Sequence, residues 1–123
     1  MYDSKKILII DDDSKNIFAL SAVLRSKKFP CISADSAMQG LCILEREKNI
    51  GLVLMDMMMP EMDGYEAIAK MKEHQKLKDL PVIAVTAQAM TGDEERCIAA
   101  GASGYISKPI NVDELLKLIN RLT

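Results

Sequence analysis

Two apolar runs in this chain stop at carboxylates, and its chemistry starts there. Leu52-Val53-Leu54-Met55 ends at Asp56, and Ile7-Leu8-Ile9-Ile10 ends at Asp11, Asp12 and Asp13. A short apolar run bounded by turn signals reads as a strand buried on both faces. An acid at the carboxyl end of such a strand lies where open α/β sheets place their ligands. Taken singly, Asp56 could merely close its strand or start the turn around Glu61-Met62-Asp63-Gly64, since aspartate suits both positions. Taken together, the two acidic tips set a physical problem. Unit charges about 4 Å apart repel by about 1 kcal/mol in water and about 4 kcal/mol near a protein surface. A bound divalent cation is the simplest group to offset that, and a lysine is the next.

Two more polar groups fall at strand ends. The run Leu80-Pro81-Val82-Ile83-Ala84-Val85 ends at Thr86, and Gly104-Tyr105-Ile106 is followed by Ser107-Lys108-Pro109. If the strands are parallel, these ends share one edge and the groups converge. Carboxylates from two strands then make a hard oxygen site suited to Mg²⁺, which takes a few carboxylates and keeps several waters. Lysine adds a point charge for an anion, and the threonine hydroxyl adds a donor. Acid, metal, hydroxyl and ammonium together point to phosphoryl chemistry with a carboxylate as nucleophile.

The elements that must position these groups alternate strand and helix throughout. Strands are expected at 6–10, 30–34, 51–55, 80–85 and 104–106. The first helix covers 14–27, with Ile17, Leu20 and Leu24 on one face. Ser36 with Gln39 makes a capping-box pattern for the second, whose stripe is Ala37, Leu41 and Leu44. The third covers 64–74, with Tyr65, Ile68 and Met71 inward. Thr91 with Glu94 marks the start of the fourth, Asp93 to Glu95 suit its positive end, and Gly101 suits its C-cap. Asn111 with Glu114 opens the fifth, striped by Leu115, Leu118, Ile119 and Leu122. Five strands alternating with five helices imply a doubly wound parallel sheet with right-handed crossovers.

Composition bounds the rest. The 123 residues suffice for one domain over 1–123 with one core, and no separate output domain is expected within them. A net charge of -2 gives no bulk attraction to nucleic acid or to an acidic membrane. No apolar run approaches the roughly 20 residues of a membrane span, and the first residues lack a signal peptide's apolar segment. Cys31, Cys42 and Cys97 make neither a CxxC metal pattern nor a disulfide framework. They read as small buried apolar residues in a reducing cytoplasm. Four of the nine methionines lie at 55–59 and read as strand-end packing. His74, the only histidine, reads as a solvated helix-end residue, not a phosphodonor or ligand.

Four pieces, in this order and at these spacings, carry a resemblance. They are Ile7-Leu8-Ile9-Ile10-Asp11-Asp12-Asp13, the stretch from Leu54 through Asp56 to Gly64, Val82-Ile83-Ala84-Val85-Thr86-Ala87, and Gly101 through Lys108-Pro109. Over essentially its whole length the chain resembles a response-regulator receiver domain of two-component signalling. The wording around Thr86-Ala87-Gln88-Ala89-Met90 and Lys108-Pro109-Ile110 is similar to receivers attached to hybrid sensor kinases.

The resemblance implies a flavodoxin-like fold with strand order 2-1-3-4-5. It implies Asp56 as phosphoacceptor, Asp12 as a direct Mg²⁺ ligand, and Asp11 helping directly or through water. Met58 would lend its backbone carbonyl to the metal. Thr86 and Lys108 would bind the phosphoryl group, the Lys108-Pro109 bond would be cis, and Tyr105 would be an aromatic switch. Asp13 reads as a helix-start residue. The expected partners are a histidine kinase or histidine phosphotransfer protein, and a downstream effector or attached output domain.

Other classes stay open on the residues alone. A phosphohydrolase of the haloacid-dehalogenase type would use the triple aspartate and Lys108, but the only later acids are Asp113 and Glu114. An FMN-binding flavodoxin would need a first loop that does not repel phosphate. A receiver used only for docking would not need the complete set Asp11, Asp12, Asp56, Thr86 and Lys108.

Overall fold

The computed structural model describes residues 5–87 and 92–123. The elements run β1 (Lys6–Ile10), α1 (Ser14–Ser26), β2 (Cys31–Ala34), α2 (Ala37–Arg46), β3 (Ile50–Asp56), α3 (Gly64–Glu73), β4 (Val82–Thr86), α4 (Asp93–Ala100), β5 (Gly104–Ser107) and α5 (Val112–Leu122). The strands form one parallel sheet in the order β2-β1-β3-β4-β5.

Side chains alternate across a strand, and that period sorts the core into two layers. Ile7 and Ile9 of β1 join Leu52 and Leu54 of β3 on the face packed by Leu20 and Leu24 of α1 and Leu115 and Ile119 of α5. Leu8, Ile10, Val53 and Met55 point the other way, against Ala37, Ile68, Met71 and Cys97 of α2, α3 and α4. The helices therefore cover both faces, which is why the central strands read as continuous apolar runs.

The helix starts are mostly those the sequence expects. Asp13, Ser36, Asp63 and Asn111 each accept an amide N–H of the first turn through their side chains. Gln39 departs slightly from the box pattern, since its amide oxygen accepts from the Asp35 N–H at 2.7 Å. Thr91, the expected cap of α4, lies outside the described residues, and the residue before α4 is Gly92 at φ 86°. Gly101 closes α4 in the left-handed region at φ 119°, where a Cβ would be strained.

Three expectations need correction. Cys42 is exposed and Cys31 half-buried, and only Cys97 is a core residue. Cys42 follows Leu41 on the outer side of the α2 stripe, whose buried positions are Ala37, Gly40, Ile43 and Leu44. Among the clustered methionines, Met55, Met57 and Met59 are buried but Met58 is exposed. It has left the strand, so the pleat no longer directs it to a core.

Gly64 starts α3 against the strand that carries Asp56. A Cβ there would lie 2.8 Å from the Met57 Cα and 2.9 Å from the Asp56 carbonyl oxygen, both fixed backbone atoms. Alanine is the better helix former by about 1 kcal/mol, yet overpacking costs roughly 1–3 kcal/mol. Gly64→Ala should therefore lower the urea midpoint; a raised midpoint would show that α3 can move away freely.

Candidate functional site

The sheet order reverses at β1, so α1 and α3 leave neighbouring strands on opposite faces. That divergence opens a crevice at the carboxyl ends of β1 and β3. Asp11 follows β1 directly, and Asp56 is the last residue of β3. Asp11 is 2% exposed and Asp56 4%, while Asp12 is open to solvent. One carboxylate oxygen from each of the three lies within 4.8 Å of the others.

Backbone amides fix the two buried carboxylates. Asp11 Oδ1 accepts from the Asp13 N–H at 2.8 Å, and Asp56 Oδ1 accepts from the Met58 N–H at 3.0 Å. Asn16 Nδ2 donates to Asp11 Oδ2 at 3.5 Å. Lys108 Nζ lies 3.5 Å from Asp11 Oδ2 and 3.7 Å from Asp56 Oδ2, so one ammonium bridges both tips. The lysine is delivered by the turn after β5, where the Lys108 N–H donates to the Thr86 carbonyl at 2.7 Å and the Lys108-Pro109 bond is cis.

The charges do not cancel: three carboxylates face one lysine. Burial raises the Asp56 carboxyl from 3.8 to about 6, and the charges of Asp11 and Asp12 push the same way. The Met58 N–H and Lys108 pull it down, but less. A net-negative group of three hard oxygen donors fits Mg²⁺, which needs few protein carboxylates. Asp113 and Glu114 sit exposed in the first turn of α5, apart from this group. The acidic pair of a dehalogenase-type hydrolase is therefore not assembled.

Thr86 and Tyr105 belong to the opposite layer. Thr86 ends β4 with the pleat parity of Val82 and Ala84, and is 2% exposed. Tyr105 is half-buried against the same layer, and its hydroxyl donates to Asp93 Oδ2 at 3.3 Å. Tyr65 of α3 donates to Asp93 Oδ1 at 3.4 Å, with Arg96 stacked 4.3 Å from the Tyr65 ring centre. Burial first, then the Asp93 carboxylate, pushes the Tyr105 hydroxyl above its usual range. Asp93 and Asn16 are the partners that sequence reasoning missed. Asp93 reads as a helix-dipole residue, and no local pattern reveals a tyrosine twelve positions away.

His74 caps α3 and accepts the Lys76 N–H on Nδ1 at 3.2 Å, well away from the acidic group. Among the described residues no helix is long and apolar enough to cross a membrane.

The chain matches the family model described as the response regulator receiver domain over residues 7–120. It is 37% identical over 116 residues to the polar-differentiation response regulator DivK of Brucella abortus, covering 94% of each chain. It is 33% identical over 116 residues to the two-component response regulator ORR5 of Oryza sativa subsp. japonica, covering 94% of this chain and 87% of that one. The receiver domain of a sensor histidine kinase from Pseudomonas aeruginosa, solved with magnesium coordinated in its active-site cleft, superposes with a TM-score of 0.88 at 31% identity, covering 98% of both chains. Sequence, sheet order and the crevice of acids agree, and the chain belongs to the response-regulator receiver family of two-component signalling.

Proposed function

We propose that this receiver, spanning 1–123, takes a phosphoryl group from a phosphohistidine onto Asp56. The observation that carries the reading is the convergence of Asp11, Asp12 and Asp56 with Lys108 bridging the two buried acids. The Asp56 carboxylate attacks phosphorus, a P–O bond forms, the P–N bond breaks, and its electron pair returns to the donor imidazole. Above about pH 6 the carboxylate is ionised, the form that attacks.

Asp11, Asp12 and Asp56 would hold Mg²⁺, joined by the Met58 backbone carbonyl. When bound, the ion supplies positive charge beside the phosphoryl oxygens. Lys108 already points into the crevice, and its ammonium pairs with the added phosphate charge of about -1.5 to -2. The Met58 N–H, now on Asp56 Oδ1, holds the carboxylate in one orientation. Hydrolysis of the acyl phosphate later resets the site, so the domain modifies itself and does not turn over a substrate repeatedly.

The same charge draws the Thr86 hydroxyl toward the crevice. Thr86 leaves the layer it shares with Tyr105, and Tyr105 gives up Asp93 to turn inward. A local electrostatic change thus reshapes the face built by β4, α4 and β5. A cytoplasmic histidine kinase or phosphotransfer protein is the donor, and an effector or attached output domain reads that face.

Three outcomes test this reading. Acetyl phosphate with Mg²⁺ should label the parent, and Asp56→Asn should take no label; equal labelling would remove Asp56 as acceptor. Asp12→Ala should weaken Mg²⁺ binding by roughly tenfold or more, as the loss of a direct charged ligand requires, and an unchanged titration would exclude it as a ligand.

The third concerns stability without metal. A carboxyl raised in the folded state and ordinary in the unfolded one holds its proton longer when folded. Its contribution is full below about pH 3.8 and is lost as pH rises through about 6. In chelator at pH 7.5, Asp56→Asn should therefore be more stable than the parent, by on the order of 2 kcal/mol, and the gain should vanish near pH 4. Denaturant melts at both pH values check this; a variant less stable at pH 7.5 would contradict the cost of burying this charge beside other acids.

A further inference from the structure

The opposite edge of the sheet, where the strands begin, carries a feature that phosphoryl chemistry does not use. A cavity of about 640 Å³ lies there between the last turns of α1 and α5. Its apolar lining includes the half-buried side chains of Phe29, Pro81 and Leu122. Among the described residues four lysines also line it, Lys5, Lys6, Lys27 and Lys28, and no acidic side chain does.

Lys6 is paired with Glu47 at 3.5 Å. Among the described residues no carboxylate pairs with Lys5, Lys27 or Lys28. Lys27 and Lys28 follow the α1 C-terminus, where positive charge suits the helix dipole. Lys5 has no such helix, and the backbone is shaped around it. The β1–β3 register slips between Lys6 and Ile7, leaving Gly51 as the extra residue. A Cβ on Gly51 would lie 2.8 Å from the Lys5 Cβ and 3.0 Å from its Cδ. The glycine and the bulge thus seat the Lys5 stem across the start of β3, and bulges of this kind commonly re-aim a side chain beside a site. A carboxylate at Thr123, which also lines the cavity, would still leave the lining positive.

We propose that this cavity binds an amphipathic organic anion, with an apolar body of ring or short acyl-chain size and one acidic head. The volume falls within the roughly 300–1,000 Å³ of small-molecule sites, which combine an apolar lining with a few placed polar groups. The apolar body lies against Phe29 and Leu122, and the head meets the unpaired ammonium groups. A flat anionic bilayer would reach the lysines but not the concave apolar lining, so a free small molecule is the better fit.

Anilinonaphthalenesulfonate is a suitable probe, with phenylnaphthylamine as the same body lacking the sulfonate. Titrated into the full chain, the sulfonate should saturate one site. Amide NMR shifts should centre on Phe29, Leu52 and Ile119, the Asp56 crevice staying still. The uncharged analogue should bind roughly tenfold more weakly, the equivalent of one well-placed charge contact. Lys5→Glu, and separately Lys27→Glu with Lys28→Glu, should weaken the sulfonate by roughly tenfold with the amide spectrum otherwise folded. Lys70→Glu on α3, outside the cavity lining, should change nothing. Equal binding of both probes, shifts centred elsewhere, insensitivity to lysine reversal, or binding only to anionic vesicles would each overturn the proposal.

Discussion

Everything at the working end of this molecule follows from holding like charges together where water is scarce. Asp11 and Asp56 are almost wholly buried at the tips of adjacent strands, and Asp12 stands beside them. One lysine between two of the three carboxylates offsets only part of the repulsion. Burial first, and the charges of Asp11 and Asp12 after it, raise the Asp56 carboxyl. Such a site is poised to take up positive charge, and the fold cannot relax by swinging the acids out. Asp11 and Asp56 are each tied through Oδ1 to a backbone amide two residues on.

The pleat of the sheet sorts the polar residues near these tips into two layers. Asp56 shares its parity with Leu52 and Leu54, which face α1 and α5. Thr86 and Tyr105 share theirs with the layer that faces α2, α3 and α4. Asp56 is thus on one side of the sheet, and Thr86 and Tyr105 are on the other. Asp93 holds Tyr105 and Tyr65 together across α4, β5 and α3. The switch proposed above would start from this defined resting arrangement, which two-state behaviour requires.

Most of this was legible in the chain because it is written in local patterns. Ile7 to Ile10 and Leu52 to Met55 announce buried strands, and Asp13, Ser36 and Asn111 each announce a helix by the residue type that caps it. The convergence of Asp11, Asp56 and Lys108 follows once the strands are parallel, since every carboxyl end then shares an edge. What local pattern could not carry was partner choice at a distance. Nothing near Asp93 signals two tyrosines from α3 and β5, and nothing near Asn16 signals a bond back to Asp11. The exposure of Cys42 and Met58 was missed for a related reason, because residue type sets a tendency to burial while helix phase and strand exit decide it.

The most direct test of the central claim is the titration of the Asp56 side-chain carboxyl carbon by NMR, with and without Mg²⁺. The account predicts a midpoint near about 6 in metal-free protein. Saturating Mg²⁺ should move it down by roughly one unit or more, as a bound cation inverts the local charge balance. A carboxyl that titrates at the ordinary 3.8 and ignores the ion would contradict it.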